Sequence, residues 1–160
     1  MFWTFLLLMQ AAAPTQIGRG EALFSDTKVG CTGCHALKGK GTAVGPDLTG
    51  IGRLAPAAIA MAARSTVTQY VQMAKTKSGE TFPAMPGPKE GTNITLFDVS
   101  KRPPAKMTLP AADVTLSAND QWKHPPAAAK ITAEQLADIV AYIRFVAAGS
   151  TKAVDPSEVR

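Results

Sequence analysis

The sequence predicts a mainly α-helical domain that carries a small antiparallel β insert. Apolar residues recur at helical spacing at both ends of the domain, over residues 16–25 and 131–149. Between them, residues of about 67–117 form β-branched, alternating runs that glycine and proline interrupt. The length of 160 residues fits one domain with short additions.

The first predicted helix covers residues 16–25, where Ile17, Leu23 and Phe24 contribute to an apolar stripe. Gly20 is a poor helix former, so its presence on a helix indicates close approach by another backbone. A second, short helix is predicted after Pro56, because proline is tolerated in a first helical turn.

The insert is predicted to form a few short strands with loops. Its runs cover residues 68–73, 93–97 and 106–109, and breakers such as Pro86-Gly87-Pro88 separate them. Residues 68–75 fit a helix equally well.

The closing helix has clear ends. Thr132 is a favourable N-cap residue, and Glu134 and Gln135 follow in the first turn. Gly149 is favourable at the C-terminal end of the helix. The apolar positions are Ile131, Leu136, Ile139, Val140, Ile143 and Val146. Tyr142 is placed to present its ring to Gly20 and Phe24.

The amino terminus is an apolar segment, residues 1–14, that is predicted to be either an uncleaved anchor or an export signal. Residues 1–9 are nearly all apolar, and small residues follow. The run is too short to cross a bilayer, which takes about 20 apolar residues. Because no basic residue precedes it and Pro14 fits a cleavage site poorly, the anchor is favoured. Both interpretations predict an extracytoplasmic domain over 15–149 and a C-terminal tail over 150–160.

The motif Cys31-Thr-Gly-Cys34-His35 has the spacing that attaches a c-type haem. Each thiol can bond to one vinyl group, and the adjacent His35 can then ligate the iron. A thioredoxin-like redox pair would need a βαβ pattern, a disulfide would leave the histidine unexplained, and a zinc site needs four ligands. A single motif predicts one covalent haem c.

With these residues in place, the chain resembles the class I monohaem cytochromes c. The resemblance is carried by the Gly20/Phe24 helix, the haem motif, Gly45-Pro46-Asp47-Leu48 and the closing helix. It covers residues 16–66 and 118–149 and implies a cytochrome c fold whose first and last helices cross. It also implies that the Pro46 carbonyl accepts a hydrogen bond from Nδ1–H of His35, which would fix the ring. The insert resembles one that precedes the sixth-ligand loop in haem-binding cytochrome domains.

The sixth ligand departs from the pattern of that family, which usually places a methionine before a proline upstream of the last helix. Here the matching position reads Trp122-Lys-His124-Pro-Pro. We therefore predict His124 as the distal iron ligand, with Met85 and Met107 as the alternatives. Candidates for contacts with the haem propionates, each of which fits an ordinary surface or packing role as well, are Arg53, Arg64, Tyr70 and Trp122.

Two filled axial positions predict a one-electron carrier and not an enzyme. The acidic residues Asp47, Asp98, Asp113 and Asp120 are isolated in the sequence and form no acid–base pair. The alternatives are a haem enzyme or gas sensor with an open sixth position, and a structural subunit.

The formal net charge of +5 predicts steering toward an acidic redox partner or an anionic membrane. The sequence contains no basic helix and no basic patch interleaved with aromatic residues, so nucleic acid is not a predicted partner. The predicted partners are other electron-transfer proteins within a membrane redox complex on the periplasmic side. Such a complex would be a quinol-oxidising complex, a terminal oxidase or a photosynthetic reaction centre.

Overall fold

The computed structural model describes residues 13–64, 70–119, 122–125 and 130–160. Helices in these ranges are α1 (Gln16–Ser25), α2 (Cys31–Cys34), α3 (Pro56–Arg64) and α4 (Ala133–Ala148). Short 3-10 turns cover Ile51–Arg53, Ala111–Asp113 and Pro156–Val159. Strands are β1 (Ala36–Leu37), β2 (Lys40–Gly41), β3 (Gln72–Thr76), β4 (Thr81–Glu90), β5 (Asn93–Asp98), β6 (Ala105–Pro110) and β7 (Val114–Ala118).

The prediction of a mainly α fold is wrong, because the middle of the chain forms a substantial antiparallel sheet. Its five strands lie in the order β6-β5-β4-β3-β7. β4 runs through the prolines and glycine that sequence composition marks as breakers, and its pairing with β5 shifts register between Pro86 and Lys89. Proline inside a sheet is found mostly at edges and at such irregularities, so the breakers here interrupt the ladder without ending the strand.

The sheet has an apolar core of its own. Its buried members are Ala74, Phe82, Ala84, Ile94 and Leu96. Ala74 and Phe82 are opposite each other on β3 and β4. Because this cluster is separate from the one among the helices, the chain combines a helical core and a sheet core.

The helical core is organised by the crossing of α1 and α4. Gly20 is buried, and a Cβ atom there would overlap the Asp138 backbone carbonyl. The rings of Phe24 and Tyr142 lie 5.4 Å apart, and Arg19 donates through Nε and Nη2 to the two Asp138 carboxylate oxygens at 2.8 Å each. The predicted helix over 16–25 and the close backbone approach at Gly20 are confirmed.

Both ends of α4 are fixed as the sequence predicts. The Thr132 hydroxyl accepts from the Gln135 backbone N–H at 3.2 Å, and the Gln135 side chain accepts from the Thr132 N–H at 2.9 Å. This reciprocal pair is a capping box. Gly149 ends the helix with φ of 70°, a left-handed conformation that favours glycine.

Residues 150–160, which we call the C-terminal strap, pack on the helical core. Val154 and Val159 are 2% and 0% exposed and belong to the same cluster as Phe24 and Leu136. The strap therefore contributes core side chains, although the sequence led us to expect a tail.

Residues 1–12 of the predicted anchor lie outside the described residues. In the parts of the chain that the structure describes, no helix combines the length and apolar character needed to cross a bilayer.

Candidate functional site

The haem motif occupies a single helical turn, α2. Gly30 precedes it with φ of 77°, a conformation that glycine adopts at little cost. Cys31 is buried and Cys34 is half-buried. His35 follows the turn in an extended conformation, with its N–H on the Cys31 carbonyl at 2.9 Å.

His35 is oriented by the loop that contains Gly45 and Pro46. Its Nδ1 lies 2.7 Å from the Pro46 carbonyl oxygen. A carbonyl can only accept, so Nδ1 carries the proton and Nε2 keeps its lone pair. Gly45 faces the ring, and a Cβ atom there would lie 2.7 Å from the Cε1 atom of His35. The hydrogen bond that the family resemblance implies is thus present.

The same loop is tied to the motif through backbone hydrogen bonds. The N–H groups of Val44 and Gly45 both donate to the Cys34 carbonyl, at 3.1 and 2.6 Å, and the Leu48 N–H donates to Ala36 at 2.8 Å. The motif and the carbonyl that orients its histidine therefore form one connected unit.

His124 lies beside His35, with ring centroids 5.9 Å apart and planes at 79°. Its Nδ1 donates to the Ala63 carbonyl at the end of α3, at 2.9 Å. Burial lowers the pKa of His124, the hydrogen bond to Ala63 acts in the opposite direction, and the electrostatic effect of the nearby His35 lowers it further. With Nδ1 on the Ala63 carbonyl, Nε2 is the ring nitrogen left to ligate a metal.

The two histidines use the same device to leave one nitrogen for a metal. A histidine ligand usually donates its other ring N–H to a carbonyl or carboxylate, and both rings do so here. A metal–imidazole bond is about 2 Å long, so two such bonds account for most of the 5.9 Å between the ring centroids. The two thiols and two imidazoles thus fit the attachment and ligation of haem c.

The thiols do not have the properties of a redox-active pair. Burial raises the pKa of Cys31 to about 12, and it raises the pKa of Cys34 as well, an effect that the nearby Arg102 cation partly opposes. Reactive Cys-x-x-Cys pairs have lowered thiol pKa values. Within the described ranges, no group of three or more His, Cys, Asp or Glu side chains could hold a metal ion.

The other predicted site residues are distributed over the fold. Met85 pairs with Phe97 in the sheet, and Met107 packs against the sheet core. Trp122 contacts the His124 ring, with centroids 6.1 Å apart. Arg53 is exposed at the end of a 3-10 turn, Tyr70 is exposed, and Arg64 donates to the Val159 carbonyl. The structure thus brings His124 to His35 and keeps both methionines in the sheet.

Two features of the site were not predicted. Arg102, which follows β5, brings its Nη1 to 3.2 Å from the Cβ position of Gly30. The sequence feature that could have indicated Arg102 as a site residue is the basic pair Lys101-Arg102 next to two prolines. The Ala63 carbonyl that orients His124 is a backbone group, so no residue type could have marked it.

Two thiols and two imidazoles in this arrangement are the groups that covalent attachment and ligation of a haem would use. The family model for cytochrome c matches residues 17–147. The chain therefore belongs to the cytochrome c family, which implies covalently bound haem c, and whose members are generally electron carriers and not enzymes. Among curated proteins, none matches the chain.

Proposed function

We propose that this protein is a one-electron carrier with a single haem c whose iron is ligated by His35 and His124. The observation that carries the proposal is the pair of adjacent imidazoles, each with Nδ1 on a backbone carbonyl. The single Cys-x-x-Cys-His motif in 160 residues supports one haem.

When bound, haem c supplies a reversible Fe(III)/Fe(II) couple. The residues of this chain that would hold it are Cys31 and Cys34, by covalent attachment, and His35 and His124, as ligands of the iron. Two protein ligands would leave no open position for a substrate, which favours electron transfer over catalysis. A methionine ligand raises the potential of cytochromes c, so a second histidine sets a lower one.

We further propose that the protein works on the extracytoplasmic face as a subunit of a membrane redox complex. The apolar residues 1–9 support an anchor, and the net charge of +5 supports attraction to acidic partners or anionic lipid. A quinol-oxidising complex, an oxidase or a photosynthetic reaction centre would supply or accept the electrons.

The ligation is tested by spectroscopy of the oxidised protein, produced in a host that matures c-type cytochromes. We expect no near-infrared sulfur-to-iron charge-transfer band. His124→Met should create that band and raise the reduction potential, while Met85→Leu and Met107→Leu should leave the spectrum and the potential unchanged. A band in the unaltered protein that either methionine variant abolishes would refute the histidine ligand.

Carbon monoxide separates the carrier from a gas sensor or haem enzyme. Carbon monoxide should bind the reduced protein slowly, because His124 must first leave the iron. Rapid binding would instead support an open sixth position.

The membrane assignment is tested by fractionating cells that express the full chain beside a variant with a cleavable signal in place of residues 1–14. Only the full chain should remain with the membrane, and equal release of both would refute the anchor.

A further inference from the structure

We propose that the C-terminal strap positions His124, and that Arg64 is the residue through which it acts. This inference rests on the proposed ligation by His124. It concerns residues 150–160, which lie outside the match to the cytochrome c family over 17–147.

The strap is anchored at its middle by α1. The Gln16 side chain donates through Nε2 to the Val154 carbonyl at 2.9 Å and accepts from the Val154 N–H at 3.0 Å. Val154 itself is 2% exposed. Two hydrogen bonds and a buried side chain at one residue hold the strap against the helical core.

The end of the strap is a capped turn with a defined shape. The Asp155 carboxylate accepts from the Ser157 N–H at 2.8 Å, and the Asp155 N–H donates to Glu158 at 2.9 Å. The turn closes at Val159, whose side chain is fully buried. The Val159 carbonyl is thus held at a fixed place beside α3.

Arg64 connects that carbonyl to α3. Its Nη1 donates to the Val159 carbonyl oxygen. Arg64 is the last residue of α3, and the carbonyl of its neighbour Ala63 accepts from His124. Ala63 lies in the last turn of α3 as described, so the position of its carbonyl depends on what holds that end of the helix.

The consequence is a chain of contacts from Val159 through Arg64 and Ala63 to His124. When the contact with Val159 is lost, the end of α3 moves more freely and the carbonyl that orients His124 is less well placed. His124 then leaves the iron more often. Partners that orient a metal ligand are worth about 10–100-fold in metal affinity or activity when removed.

The test measures carbon monoxide binding to the reduced full-length holoprotein. Arg64→Met removes the donor and keeps the side-chain bulk, and it should raise the binding rate about tenfold. Arg64→Lys retains a cationic donor and should restore most of the wild-type rate. Lys152→Met, at an exposed lysine within the strap itself, is the matched control and should bind at the wild-type rate.

A second variant acts on the strap away from α3. Gln16→Leu removes both hydrogen bonds to Val154 and should also accelerate carbon monoxide binding. Hydrogen exchange at the amides of residues 56–64 should increase in both Gln16→Leu and Arg64→Met. If Arg64→Met unfolds, Gln16→Leu decides alone. A lower unfolding midpoint with an unchanged binding rate would show a purely structural strap and overturn the inference.

Failure of this inference is distinguishable from failure of the proposed ligation. A near-infrared sulfur-to-iron band, or rapid carbon monoxide binding, in the unaltered protein would refute His124 as the ligand. Slow binding in the unaltered protein, together with equal rates for Arg64→Met and Lys152→Met, would refute the strap alone.

Discussion

Replacing Gly20 with alanine tests the crossing of α1 and α4 that supports the haem site. The added Cβ atom would lie 2.8 Å from the Tyr142 Cβ atom and would overlap the Asp138 carbonyl. Carbon atoms pack best at about 3.5–4.0 Å. Since the Asp138 carbonyl is backbone, the clash is relieved only when the two helices move apart.

The expected change in the free energy of unfolding combines two destabilising contributions with one stabilising contribution. Overpacking a core costs about 1–3 kcal/mol, and weakening the Phe24–Tyr142 ring contact adds about 0.5–1.5 kcal/mol. Alanine is the better helix former by about 1 kcal/mol. The free energy of unfolding should therefore fall by about 2 kcal/mol in Gly20→Ala.

Gly18→Ala is the matched control on the same helix. Its Cβ atom would meet only the Thr15 hydroxyl, at 3.4 Å, so the helix preference should dominate and stability should rise by about 0.5–1 kcal/mol. Both variants are measured by guanidinium unfolding of the oxidised holoprotein, followed by helical circular dichroism and haem absorbance together, because coincident transitions are needed for a two-state analysis. A Gly20→Ala protein as stable as Gly18→Ala would refute the close crossing.

Two further predictions concern the site and the closing helix. Gly45→Ala would place Cβ at 2.9 Å from Nδ1 of His35 and should displace the ring, which would change the haem absorption spectrum and the reduction potential. Gly50→Ala is the control, because nothing lies within 4 Å of its Cβ position, and it should change neither property. Equal spectra for the two variants would contradict the contact between Gly45 and His35. Thr132→Ala removes the capping hydroxyl of α4 and should lower the free energy of unfolding by about 1 kcal/mol. The same guanidinium unfolding measures this change. A decrease of less than a few tenths of a kcal/mol would show that the cap contributes little.

The helices were predictable because their signals are local. Thr132, the apolar spacing and Gly149 act within one segment, and the structure ends α4 where they indicate. The predicted approach at Gly20 was also correct, since glycine inside an amphipathic helix lowers helix stability and is favoured where a second backbone leaves no room for a Cβ atom.

The sheet was underestimated because its pairing is not local. Pro86 and Gly87 are strand breakers by composition, yet β4 continues through them with a shift of register against β5. Whether a proline ends a strand or sits at an irregularity depends on the neighbouring strand, which no short window of sequence contains.

By itself, the sequence was enough to predict covalent haem attachment, because the spacing of Cys31, Cys34 and His35 is a property of one helical turn. It also identified His124 as the candidate that the structure brings to His35. Only the tertiary structure decided what holds His124, since the Ala63 carbonyl and the strap come from segments distant in the chain. Backbone carbonyls are the same in every residue, so their use is set by where the fold places them.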